Sequence, residues 1–189
     1  VNSEAVKNIC DAVTEFNSYF LHISTDFVFD GQKNTPYNPK DKVNPLGEYG
    51  ISKAKGERFV LENKNSKVIR TSWLYGDLGN NFCLTMLRLH NEKGALNDPL
   101  RVVSDQIGVP TSTYSLSRVC WKLLVNISEN KSTPSLLHWS DAGVASWYDF
   151  AVAIGEIGLE MGIIRKPAEV IPIKSEEFPA LAKRPHFSL

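Results

Sequence analysis

Residues 19–26 read Tyr19-Phe20-Leu21-His22-Ile23-Ser24-Thr25-Asp26. The apolar run closes on two hydroxyls and a carboxylate. A short, nearly continuous apolar segment of this kind reads as a buried strand of a parallel sheet. Val6, Ile9, Cys10, Val13 and Phe16 ahead of it recur at helical spacing. Helix, strand and then a further helical stretch predict an open α/β architecture. In such sheets ligands bind beyond the carboxyl ends of the strands, where Ser24, Thr25 and Asp26 fall.

The next helical stretch is Tyr49-Gly50-Ile51-Ser52-Lys53-Ala54-Lys55-Gly56-Glu57. Residues four apart share a helix face, so a phenol and an ammonium can point into one pocket. A free phenol is a poor acid at neutrality, with a pKa of about 10, and a nearby cation favours its ionised form. The spacing alone also fits an exposed pair on an amphipathic helix. The strand-end hydroxyls upstream favour a chemical role: Ser24 or Thr25 with Tyr49 and Lys53 forms a hydroxyl–tyrosine–lysine arrangement.

Ser24-Thr25-Asp26-Phe27-Val28-Phe29-Asp30-Gly31 followed by Tyr49-Gly50-x-Ser52-Lys53-x-x-Gly56-Glu57 resembles the extended short-chain dehydrogenases/reductases. Arg70-Thr71-Ser72-Trp73-Leu74-Tyr75-Gly76, Gly79-Asn80-Asn81-Phe82, Asp105-Gln106-x-Gly108-x-Pro110-Thr111, Ser146-Trp147-Tyr148 and Arg184-Pro185 narrow the resemblance to the dTDP-4-dehydrorhamnose reductase family. The blocks occur in the family's order over nearly the whole chain. The resemblance implies the carboxyl-terminal part of a doubly wound Rossmann-type parallel sheet plus a small substrate-binding lobe. Residues 1–77 would be what remains of the NAD(P)-binding domain. Residues 78–189 would form the lobe, interleaved with returning elements at about 109–140. The implied activity is NADPH-dependent (or NADH-dependent) reduction of the 4-keto group of dTDP-4-dehydro-L-rhamnose.

By the same resemblance Tyr49, Lys53 and Thr25 are catalytic, and Tyr49, Lys53 and Ser24 meet the cofactor. Thr25, Asp26, Trp73 and Asn81 meet the dTDP-sugar. Read from the residues alone, Trp73 serves equally as a sugar platform or a core plug, Asp26 could shape the turn after the strand, and Asn80 or Asn81 could simply cap the helix that follows. No Gly-rich pyrophosphate turn precedes the first strand, so the chain is expected to be the carboxyl-terminal portion of a longer reductase and inactive alone. Gly155, Gly158 and Gly162 have the wrong last spacing for that turn and lie in a helical pattern, so close helix packing explains them better.

At 189 residues and 42% hydrophobic, the chain can bury a sizeable core. Its formal net charge of zero argues against a nucleic-acid partner. No apolar run reaches the roughly 18 residues of a membrane span. Cys10, Cys83 and Cys120 are odd in number and widely spaced, which fits buried thiols in a reducing compartment, the cytoplasm, rather than disulfides. Neither they nor the four histidines form a metal-binding spacing. A bound Mg2+ and a homodimer are compatible with the sequence but not readable from it. The stretch from Asp30 to Leu46, with Pro36, Pro39 and Pro45, predicts a surface loop. Two other readings stay open. One is a non-catalytic subunit like the beta subunit of methionine adenosyltransferase. The other is a different nucleotide-sugar enzyme, an epimerase or a dehydratase; dehydratases usually carry Asp-Glu where this chain has Asp26-Phe27.

Overall fold

The computed structural model describes residues 1–178 and 185–187. Arg184 of the Arg184-Pro185 block lies outside the described residues. The chain divides into two compact units. The first takes residues 1–72 and 114–140, with 185–187 grouped with it; the second takes residues 73–113 and 141–178. The divisions fall after Ser72, Thr113 and Ser140.

The first unit is built on three parallel strands. Helix α1 (Glu4–Glu15) leads into β1 (Phe20–Thr25). A single 3-10 turn (Asp26–Val28) follows, then a loop, helix α2 (Glu48–Glu62) and β2 (Ser66–Thr71). Later in the chain come α4 (Thr113–Ser128) and β7 (Leu136–His138). Strand order is β1-β2-β7, with Phe20 opposite Ser66 and Val68 opposite Leu136.

Adjacent residues of β2 show how both faces are covered, because successive side chains point to opposite sides. Val68 packs with Val6, Cys10 and Val60 of α1 and α2, whereas Ile69 packs with Leu116 and Leu123 of α4. Each fully buried aliphatic side chain in these clusters contributes about 1.5–3 kcal/mol. The sheet is therefore doubly covered, as the apolar run of β1 implies.

Helix α1 buries Val6, Cys10 and Val13, but the stripe is narrower than its spacing suggests. Ile9, at the flank of that stripe, is 44% exposed, and Phe16 is 72% exposed. Phe16 lies beyond the last turn, which stops as Asn17 enters the left-handed region at φ 46°.

Residues 30–46 contain neither helix nor strand, as their composition predicts. Asp30 orders the loop by accepting from the Gln32 amide, the Tyr37 hydroxyl and the Asn44 amide. The loop is tied to the sheet by Arg70. Its Nε and Nη2 donate to the two carboxylate oxygens of Glu57 on α2, at 2.9 and 2.7 Å, while Nη1 donates to the Pro39 carbonyl. Nη1 also lies 3.3 Å from His138 Nε2. With that nitrogen as acceptor, His138 Nδ1 donates to the Tyr37 carbonyl, 3.2 Å away. Burial, then the Arg70 charge, pushes His138 down to about 4, so it stays neutral in this role.

The second unit holds β3 (Leu74–Tyr75), α3 (Phe82–Leu96), β4 (Leu100–Val103), β5 (Ile107–Gly108), β6 (Thr111–Ser112), β8 (Ala145–Ser146), α5 (Trp147–Glu160) and β9 (Val170–Ile173). Its strands form three two-stranded pairs: β4 with β9, β3 with β6, both parallel, and β5 with β8, antiparallel. Met86 of α3, Ala151 and Ile154 of α5, and Leu100 and Val102 of β4 make its core. Ser146 caps α5 in a reciprocal box with Asp149. The glycines of α5 serve packing: a Cβ on Gly155 would stand 2.7 Å from His90, and one on Gly158 would stand 2.5 Å from Ile164.

The side chains of Arg70 and Glu57 are 3% and 4% exposed. Removing one member strands a buried charge, which costs about 3–5 kcal/mol, whereas replacing both by apolar residues can be nearly neutral. Urea unfolding of Glu57→Leu, Arg70→Met and the double variant should therefore show each single change costing about 3–5 kcal/mol and the double costing far less than their sum. Additive losses would contradict this account of the pair.

Candidate active site

The pattern in α2 can be read contact by contact. A Cβ on Gly50 would stand 2.1 Å from the Phe27 carbonyl oxygen, so a side chain there would hold the first turn of the helix away from the 3-10 turn that follows β1. A Cβ on Gly56 would stand 2.3 Å from the Asn2 carbonyl oxygen, at the start of α1. Between them Lys53 is buried, and its Nζ donates to the Ile23 carbonyl at 2.6 Å. Glu57, one turn further, faces Arg70. The motif thus spends two glycines on close approach and two charged residues on fixing the helix to the sheet.

Tyr49 and Lys53 occupy successive turns of α2, with Tyr49 about half exposed and its ring edge-on to Phe27 at 5.9 Å. Burial lowers the Lys53 pKa, opposed by the nearby Glu57 charge. His22, on β1, is pushed down to about 4 by burial and then by the Lys53 charge, so it stays neutral near Lys53. Lys53 makes one hydrogen bond among the described residues and keeps donors for another acceptor.

Ser24 and Thr25 close β1, and Thr25 stands opposite Thr71 in the register. Ser24 Oγ and Thr71 Oγ1 are buried with no partner among the described residues. A buried hydroxyl left this way costs about 1–3 kcal/mol, which makes each a candidate for a ligand or water contact. Thr25 Oγ1 donates to Asp26 Oδ1 at 3.0 Å and accepts from the Phe27 amide at 3.2 Å. Its one proton is therefore already engaged, and donation to a substrate carbonyl requires Asp26 to release it. Asp26 also opens the 3-10 turn, so it shapes the backbone here. Burial raises its carboxyl to about 7, against the Thr25 hydrogen bond and two backbone ones.

Trp73 and Asn81 belong to the second unit. Asn81 caps α3, accepting from the Leu84 amide at 3.1 Å, while its side-chain nitrogen donates to the Gly76 carbonyl at 2.8 Å. Both ends of its amide are thus engaged within the unit. Trp73 has φ 44°, a left-handed conformation unusual for a bulky residue, and its ring stacks on Trp147. The site residues therefore fall into two groups: Ser24, Thr25, Asp26, Tyr49 and Lys53 around the end of β1, and Trp73 with Asn81 in the second unit.

Sequence reasoning gave no role to Glu57, Arg70, His138 or Trp147. A signal existed for Arg70. It interrupts the apolar run Val68-Ile69-Arg70, and an arginine in a buried strand requires a buried partner. Among the described residues no cluster of His, Cys, Asp and Glu could hold a metal ion, and no helix is long and apolar enough to cross a membrane.

Asp26 yields a pH test. Its folded pKa, near 7, stands above its ordinary 3.8, so its contribution to stability is greatest below pH 3.8 and is lost as pH rises towards 7. His22 and His138 pull the opposite way, losing stability as pH falls from 6.5 towards 4. Those two residues are common to the wild type and the Asp26→Asn variant, so the difference between the two proteins isolates Asp26. Urea unfolding should show Asp26→Asn more favourable at pH 8 than at pH 4, by on the order of 2–4 kcal/mol. An equal difference at both pH values would contradict the raised carboxyl.

A protein-family model described as the RmlD substrate binding domain matches residues 1–189. The dTDP-4-dehydrorhamnose reductase of Aggregatibacter actinomycetemcomitans is 39% identical over 187 residues, covering 98% of this chain and 62% of the relative. A solved dTDP-4-dehydrorhamnose reductase from Clostridium acetobutylicum superposes with TM-score 0.85 at 42% identity, covering all of this chain and 62% of that one. Another from Bacillus anthracis, in complex with NADP, gives TM-score 0.86 at 34% identity, covering 99% of this chain and 62% of that one. The chain thus spans about three-fifths of these proteins. With its parallel sheet, its strand-end hydroxyls and the Tyr49–Lys53 helix, it belongs to the RmlD substrate-binding domain family.

Proposed function

We propose that this chain is the substrate-facing part of an NADPH-dependent reductase that converts dTDP-4-dehydro-L-rhamnose to dTDP-L-rhamnose. The observation that carries this reading is Lys53, buried one turn from Tyr49 and bonded to the backbone of the strand that ends in Thr25. Three relatives named for this activity, one of them holding NADP, support the substrate and the cofactor.

The residues present fit a nicotinamide cofactor. Ser24 Oγ is a buried hydroxyl without a partner among the described residues, and Lys53 keeps open donors suited to a ribose hydroxyl. A bound nicotinamide supplies the hydride that reduces C4. Tyr49 gives its phenolic proton to the oxygen at C4, and the Lys53 ammonium stabilises the phenolate that remains until solvent reprotonates it. Thr25 turns its proton from Asp26 to the same oxygen and stabilises charge developing there. Asp26 then accepts from a sugar hydroxyl, and Trp73 lies against the sugar ring. Three free thiols, none in a disulfide, suit a reducing compartment such as the cytoplasm.

The test uses the polypeptide that joins this chain to an amino-terminal cofactor-binding half. Tyr49→Phe should lower kcat for NADPH consumption by about 10²–10⁴-fold, the usual contribution of a general acid, while NADPH affinity stays unchanged. Turnover within about tenfold of the wild type would remove Tyr49 from the role of proton donor.

A further inference from the structure

We propose that Trp147 is a positioning residue for the reaction: its indole holds the Trp73 ring in the orientation in which that ring meets the sugar. The inference rests on the assignment of Trp73 to the sugar and extends it to a residue whose own ring need not touch the ligand.

Trp73 has its backbone in the left-handed region at φ 44°, where a bulky side chain stays only when its surroundings over-determine it. Three contacts do so. Its carbonyl accepts from the Thr111 amide at 3.1 Å, at the start of the β3–β6 pairing. Its ring lies parallel to that of Trp147, with centroids 3.5 Å apart and planes 5° apart. It also rests against Gly108, where a Cβ would stand 2.4 Å from Cε2. Any larger residue at position 108 would displace the ring. Trp73 is still only partly buried, so some of its surface remains open to solvent.

Trp147 is itself fixed. It opens α5 behind the Ser146–Asp149 capping box, and its Nε1 donates to Gln106 Oε1 at 3.2 Å. Gln106 Nε2 donates in turn to Ser175 Oγ at 3.2 Å, and the Phe82 ring packs on Trp147 with centroids 4.6 Å apart. A rigid indole therefore backs a strained one. A stack needed only for the core would require neither a left-handed backbone nor a glycine beneath the ring. Both features fix where the Trp73 ring stands.

Kinetics on the full-length polypeptide, with Trp73→Leu, Trp147→Leu, Trp147→Phe and Gly108→Ala, test the proposal. Thermal melting and the far-ultraviolet exciton couplet of the indole pair serve as structural readouts. Trp147→Leu should abolish the couplet and raise KM for the dTDP-keto-sugar about 3- to 10-fold, with KM for NADPH and kcat unchanged. Trp147→Phe, which restores a stacking ring, should return the sugar KM to within about twofold of wild type. If Trp147→Leu does not fold, Gly108→Ala replaces it: the ring is displaced with Trp147 intact, and the same rise in sugar KM is expected. A sugar KM unchanged by Trp147→Leu or Gly108→Ala, while Trp73→Leu raises it, overturns the positioning role and leaves the sugar contact standing. A sugar KM unchanged by Trp73→Leu overturns the sugar contact and the inference together.

Discussion

Arg70 sits in the middle strand of the first unit with 3% of its side chain exposed, where an unpaired charge would be among the costliest groups to keep out of water. Glu57 meets it with both carboxylate oxygens, and Nη1 reaches the Pro39 carbonyl and His138. The Phe29 ring lies under it, 5.0 Å from the guanidinium carbon. This one residue thereby joins β2, α2, β7 and the loop after β1. Glu57 lies one turn beyond Lys53 and two beyond Tyr49. The pair that satisfies the buried charge therefore also fixes the rotation of α2 and aims the Tyr49–Lys53 face at the end of β1.

The second unit answers to a different constraint. There the unusual feature is a backbone one, Trp73 in a left-handed conformation, held by a strand pairing, a glycine and a second indole. Such conformations cost on the order of 1–3 kcal/mol and survive where the surroundings hold them. In the first unit the chain satisfies a charge; in the second it holds a ring. Both devices fix a side chain in a set position, Tyr49 with Lys53 in the first unit and the Trp73 ring in the second.

Much of this was legible in the chain of residues, and the exceptions have physical reasons. The apolar run before Ser24 and the spacing of Val6, Cys10 and Val13 specify buried strand and amphipathic helix directly, because burial dictates those patterns. Ser146 before Trp147 marks its cap for a different reason, a side chain that satisfies a free amide at the helix start. The exposed Phe16 was not legible, because periodicity cannot say where a helix stops, and the left-handed Asn17 stops α1 one residue short of it. The Arg70–Glu57 pair joins a strand to a helix 13 residues away, and only the charge inside the buried strand signals that Arg70 has a partner. The Trp73–Trp147 stack joins residues 74 positions apart in the sequence and leaves no local signal in either segment. Likewise, that the Thr25 proton is held by Asp26 is a matter of side-chain rotation, which no spacing rule encodes.

In the proposed reaction the nicotinamide supplies hydride to the keto group of a dTDP-sugar, and the strand-end hydroxyl, the phenol and the buried ammonium orient and protonate its oxygen. The most direct measurement is the product formed when the polypeptide carrying this chain behind its cofactor-binding half is given NADPH and dTDP-4-dehydro-L-rhamnose. Stoichiometric NADPH oxidation with dTDP-L-rhamnose as the product, identified by the configuration at C4, is the predicted result. Tight NADPH binding with no oxidation and no change in the sugar would contradict it and point to a regulatory subunit.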